Sequence, residues 1–185
     1  MRADAVIAQY AFRRSVLESS RSHSLHADRI VVEGGGYGTR VYPLDDVRKV
    51  HLKYEHTRQR EYYQCFIHTR SGRISLHHLH WESMGKFQDR RATYTPFVRA
   101  LLVELARRPN VEFKAGSMLN FGTALVGIPF MAALAWWAFG LGYPGRAFLA
   151  LLLGGLCVWM IGPSRPRRFD PLRPPEELLP RPLRP

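Results

Sequence analysis

Residues 119–161 contain no Asp, Glu or Lys and a single Arg, Arg146, and no other feature constrains the chain so strongly. Core helices of globular domains rarely stay free of charge for so long. A helix that crosses about 30 Å of hydrocarbon, by contrast, needs about 20 mostly apolar residues. The stretch divides into two such pieces around the turn-forming run Gly140, Leu141, Gly142, Tyr143, Pro144, Gly145 and Arg146. The first piece holds Leu119, Phe121, Leu125, Val126, Ile128, Phe130 and Leu134, and the second is richer still, from Phe148 and Leu149 to Val158 and Ile161. At about 0.3 to 0.6 kcal/mol for each strongly apolar residue, insertion of either piece is favourable by a few kcal/mol. The expectation is a hairpin of two transmembrane helices over 118–161. Tyr143 and Arg146 are its interface anchors at the turn, and Arg165, Arg167 and Arg168 anchor it directly afterwards.

Charge then sets an expected orientation. Of the net +12, the residues before the hairpin carry 20 Lys and Arg against 12 Asp and Glu, and those after it carry six Arg against Asp170, Glu176 and Glu177. Both flanks are basic, so the positive-inside rule places both termini on the cytoplasmic side of a bacterial inner membrane. Residues 1–20 lack the apolar core of a secretory signal and carry Arg13, Arg14 and Glu18. The two cysteines fit a reducing compartment, because Cys65 falls in a strand pattern and Cys157 in the second apolar piece, where they cannot meet.

The remaining chain has room for one domain of ordinary size. Residues 1–21 read as an N-terminal extension, helical or a broken first strand, with Val6, Ile7, Tyr10, Phe12, Val16 and Leu17 fitting either. From Ser22 strand signals follow one another: 22–26, a turn at Asp28 and Arg29, then 30–33 ended by Gly34, Gly35, Gly36, Tyr37 and Gly38. That glycine run is a hairpin loop, not a phosphate loop, since no Gly-Lys-Ser/Thr opens a helix after it. In 47–54, Val50, Leu52 and Tyr54 alternate with Lys49, His51 and Lys53, giving one buried and one basic face. A hairpin across Ser71 and Gly72 places Tyr63, Cys65, Ile67, Ile74 and Leu76 on one face, with Phe66, His68, Arg70, Arg73, Ser75 and His77 on the other. Residues 82–91 read as a helical turn around Trp81, Met84 and Phe87. The last element is an amphipathic helix with Thr95 as N-cap, Pro96 at the first position and the stripe Phe97, Val98, Leu101, Leu102 and Leu105. The fold class is α+β: a bent antiparallel sheet at 22–117 capped by this helix, then the hairpin, then a Pro/Arg-rich tail at 162–185.

The run from Ser22 through Tyr42, Pro43, Leu44, Asp45, Asp46 and Val47, followed by a strand, a hairpin and a terminal amphipathic helix, resembles bacterial pleckstrin-homology-like domains. The segments Trp81, Glu82, Ser83, Met84 and Tyr94, Thr95, Pro96, Phe97, Val98 are similar to a proteobacterial subset with two membrane spans and a Pro/Arg-rich tail. The resemblance covers about 22–113. It implies a seven-stranded bent sheet with a capping helix and a scaffold that binds peptides, proteins or lipid head groups. It implies no shared catalytic residues and no cofactor.

Several constellations bear on chemistry. His68, His77, His78 and His80, with His51 and His56 upstream, lack the spacing of a metal site and read as solvated or interfacial histidines. Arg48, Lys49, Lys53, Arg58, Arg60, Arg70 and Arg73 fall on outward strand positions and in one loop, a surface suited to a protein partner or to anionic head groups. Nucleic acid is not expected, because no recognition helix or stacking motif accompanies them. No nucleophile elbow, carboxylate pair or cofactor fingerprint supports an enzyme. Eight of the 13 prolines lie in the tail, which is too proline-rich to fold alone and reads as a linker or a binding segment. The expected function is that of a non-catalytic inner-membrane adaptor docking a protein partner. An anionic-lipid reader and an accessory subunit packed through the span glycines are the alternatives.

Overall fold

The computed structural model describes residues 5–15, 17–36, 38–56, 60–83, 85–116 and 118–180. The chain forms two compact units, one of Met1–Ala115 with Arg168–Pro185 and one of Gly116–Arg167.

In the first unit, β1 (Ala8–Phe12), β2 (Arg21–Leu25), β3 (Arg29–Gly34) and β4 (Arg40–Pro43) form an antiparallel sheet in chain order. The ambiguous N-terminal segment is therefore a strand in part. Tyr10 and Phe12, two apart, both enter the core, and residues 8 to 12 pair one by one with Leu25 back to Arg21. The β3 strand ends at Gly34, whose φ of 89° and close approach to the Ser20 carbonyl leave no room for a Cβ.

A 3-10 turn, Leu44–Asp46, leads into β5 (Val47–His56), β6 (Glu61–Thr69) and β7 (Gly72–His77). With β10 (Glu112–Ala115) and the two-residue β11 (Arg167–Arg168) they make a second sheet of order β11-β10-β5-β6-β7, in which β10 runs parallel to β5. The β6–β7 turn lies at Arg70 and Ser71, one residue earlier than expected, with Thr69 opposite Gly72. Moving a two-residue loop by one displaces the pairing by two, so every side chain keeps its expected face. Between β7 and the helix, the expected helical turn is instead a hairpin of β8 (Leu79–Ser83) and β9 (Lys86–Asp89), with the rings of Trp81 and Phe87 4.4 Å apart. Met84 lies outside the described residues. The expected single antiparallel sheet is thus corrected: the described residues form three sheets, and β10 pairs with β5 in parallel.

Helix α1 (Arg91–Ala106) begins ahead of Thr95 because Asp89 Oδ1 accepts the Arg91 N–H at 2.9 Å, so Pro96 lies inside the helix. Its buried stripe of Tyr94, Phe97, Val98, Leu101, Leu102 and Leu105 packs in one cluster with Tyr10, Phe12, Leu25, Ile30, Leu44, Val50, Leu52, Cys65, Ile67 and Leu76. The tail joins the same cluster. Leu178 and Leu179, around the 3-10 turn Glu176–Leu178, are buried there, and Thr95 Oγ1 donates to the Pro180 carbonyl at 3.1 Å.

The second unit consists of α2 (Met118–Gly140) and α3 (Pro144–Ser164) joined at Leu141–Tyr143. They pack through small residues. Ala135, Ala138, Ala147 and Ala150 are buried, a Cβ on Gly127 would stand 3.0 Å from Cys157 Sγ, and one on Gly154 would stand 3.4 Å from Met131 Cβ. The large apolar residues point the other way: Trp136 is 84% exposed, Trp159 72% and Phe139 71%.

The expectation of two transmembrane helices is corrected. Among the described residues only one helix contains an apolar run long enough to cross a membrane, Phe121–Gly140, 20 residues with a mean hydropathy of 1.5. In α3 the apolar run over the described residues, Pro144–Trp159, is shorter. Its opening Gly145 and Arg146, with Gly154 and Gly155 later, dilute a leucine-rich stretch that looks long enough when apolar residues alone are counted.

Candidate functional site

Alternation along β5, β6, β7 and β10 determines what the second sheet shows outward. Val50, Leu52, Cys65, Ile67, Ile74, Leu76, Phe113 and Ala115 point into the core. The register then lines up the outward residues in rows across the strands. In one row Lys49 stands opposite His68 and His68 opposite Arg73, with Glu112 of β10 on the other side of Lys49. In the next row Lys114, His51, Phe66 and Ser75 follow one another. In a third, Lys53, Gln64 and His77 do so.

Phe66 is the apolar centre of this face. The Arg73 guanidinium lies 5.1 Å from its ring centroid, and the rings of His51 and His77 lie 6.3 and 6.2 Å away. Acidic residues neutralise part of the surrounding charge. Lys53 pairs with Glu55, while Glu112 takes Lys114 at 3.0 Å and Arg168 at 2.9 Å. Lys49 and Arg73 have no carboxylate partner among the described residues. Partial burial lowers the His68 pKa, and the neighbouring charges of Lys49, Arg73 and His51 lower it further, so the row is a site of positive potential.

The seven basic residues read from the sequence thus part company. Lys49, Lys53 and Arg73 share the outer face. Arg48 is exposed at a register irregularity between Val47 and Lys49. Arg70 occupies the turn, 3.9 Å from Asp46, and Arg60 lies over the Phe87 ring at 4.7 Å, beside the β8–β9 hairpin. Arg58 lies outside the described residues. Lys114 also belongs to the face, brought there by the parallel pairing of β10 with β5, more than 60 positions apart.

The expected anchors also divide. Arg146 stacks over the Tyr143 ring at 4.6 Å, and both are exposed at the helical turn. Arg165, Arg167 and Arg168 are all exposed, and Arg168 pairs with Glu112.

The histidines are divided between this face and the interior. His23 stacks on Phe12 at 5.4 Å and is pushed down to about 4 by burial. His77 is likewise pushed down to about 4, first by burial and then by Arg14. His78 is buried with Nδ1 accepting the Tyr63 N–H at 3.1 Å, and His80 Nδ1 accepts the Arg13 N–H at 3.0 Å. Among the described residues no group of three or more His, Cys, Asp or Glu is arranged to hold a metal ion. Cys65 is fully buried, and burial pushes its thiol up to about 12. Compared with known proteins, the chain matches no family model, no curated protein and no solved structure.

Proposed function

We propose that the chain is a non-catalytic docking module, held at a bacterial inner membrane by its apolar helical hairpin, whose outer sheet face binds an acidic segment of a protein partner. The observation that carries this reading is the row Lys49, His68, Arg73 beside Phe66: two cations that have no acidic partner among the described residues flank an accessible ring. Such a surface offers an aromatic anchor ringed by charge, the composition that interfaces favour. The sequence resemblance to bacterial pleckstrin-homology-like domains supports it, since that family is a scaffold for peptides, proteins and head groups.

Anionic head groups are the second reading, favoured by the same two cations and by the basic flanks of the hairpin. Each Lys or Arg near an anionic surface contributes about 1 kcal/mol. The test is purification of the tagged full-length chain from its membranes in mild detergent, with mass spectrometry of what stays bound. A stoichiometric protein lost in the Lys49→Glu, Arg73→Glu double variant supports the docking role. Unchanged capture in that variant removes the face from consideration. Recovery of the chain with phospholipid alone, bound in a salt-sensitive way, favours the head-group reading.

A further inference from the structure

Connectivity bears on how α2 and α3 meet lipid. Residues before the hairpin and residues after it build one compact unit, Met1–Ala115 together with Arg168–Pro185. The return is a packed one. Phe169 donates its N–H to the Phe113 carbonyl at 3.3 Å and sets its ring 5.9 Å from that of Phe113. Thr95 Oγ1 donates to Pro180 O at 3.1 Å. Leu178 and Leu179, 5% and 3% exposed, share the core cluster with Leu52, Leu101 and Leu102.

Among the described residues only α2 has an apolar run long enough to cross, and a crossing by α2 alone would put the tail on the far side. One crossing would place Leu178 and Leu179 across about 30 Å of hydrocarbon from the core they complete. The covering material must also be apolar, because the unit is inside out: Ala135, Ala138, Ala147 and Ala150 are buried while Trp136, Trp159, Phe139 and Phe148 face outward. We infer that the α2–α3 hairpin enters and leaves a bilayer through one and the same face, with lipid hydrocarbon against its outward aromatic and leucine side chains and the tail on the domain's side. The inference rests on the membrane reading above and specifies its topology.

The test uses the full chain with one cysteine placed in the domain, Ser71→Cys, or in the tail, Arg173→Cys, both exposed positions. Glu33→Cys and Leu172→Cys serve as second variants if either of the first fails to fold. Sealed vesicles of both orientations are treated with a membrane-impermeant maleimide. The unsubstituted chain gives the background, its Cys65 being fully buried and its Cys157 lying in α3. The expected result is that domain and tail cysteines react from the same side and both fall to background from the other. Domain and tail reacting from opposite sides would overturn the inference while leaving the membrane reading intact. A chain that carbonate washing releases from the membranes, and that stays dispersed as an oligomer without detergent, covers its apolar faces with copies of itself and overturns both.

Discussion

His23 and His77 show how single residues make this domain sensitive to acid. Each is pushed down to about 4, chiefly by burial, from an ordinary value of 6.5. Between those values the unfolded chain binds a proton that the folded chain does not, so folding stability rises with pH across this window. It is fully present above pH 6.5 and is lost as pH falls towards 4. The slope is about 1.4 kcal/mol per pH unit for each histidine. Chemical denaturation of the full chain in detergent, from pH 7.5 down to 4.5, is expected to show a progressive loss of several kcal/mol. His23→Phe keeps a ring against Phe12 and removes one titrating group, so it is expected to reduce the slope by about 1.4 kcal/mol per pH unit. A pH-independent midpoint would mean that neither histidine is buried as described. The number of histidines was plain in the sequence, but their grouping at 77, 78 and 80 suggested a solvated surface. Burial of His23 and His78 follows from strand pairing that no local pattern announces.

At the scale of elements the tail is the main surprise. Its prolines argue against independent structure, and its described residues have little: a 3-10 turn and a two-residue strand. Order comes from outside, through Leu178 and Leu179 in the domain core and Phe169 against Phe113. Leu178→Ala or Leu179→Ala is therefore expected to cost about 2 to 5 kcal/mol, the range for a buried leucine. Thr95→Val, which gives up one hydrogen bond to Pro180, is expected to cost about 1 kcal/mol. Urea or thermal unfolding measures both, and values within about 0.5 kcal/mol of the parent for the leucine variants would show that the tail only grazes the surface. The amphipathic helix was legible from its stripe, but its start was not. Asp89 Oδ1 accepts the N–H of Arg91, the first helical residue, ahead of Thr95, and Thr95 bonds the tail at Pro180 instead.

At the scale of the whole molecule, the two units bury opposite kinds of residue. The first encloses Phe12, Tyr94, Phe97 and the leucines of its core, while the second encloses Ala135, Ala138, Ala147 and Ala150 and leaves tryptophan, phenylalanine and leucine outside. Three of the four tryptophans, Trp136, Trp137 and Trp159, lie on the helices with 64% to 84% of their surface exposed. Transfer of the full chain from detergent-poor buffer to phosphatidylcholine vesicles is expected to shift the tryptophan emission to the blue and to protect it from an aqueous quencher. Emission that stays red and quenchable would show that these faces are not lipid-facing.

Local pattern determined much of this protein by itself: the α+β class, the faces of β5, β6 and β7, the capping stripe of α1 and the position of the helical hairpin. Each depends on a period of two or 3.6, or on a long absence of charge, and such signals need no partner to be read. Only the tertiary structure decided the rest. Parallel addition of β10 brought Lys114 beside His51, and the β8–β9 hairpin replaced a helical turn. The basic residues were sorted into a face and a scatter, and the tail was closed into the core. These depend on contacts between residues distant in the chain, whose free energy comes from apolar area removed from water at both ends at once. Neither end carries that information alone.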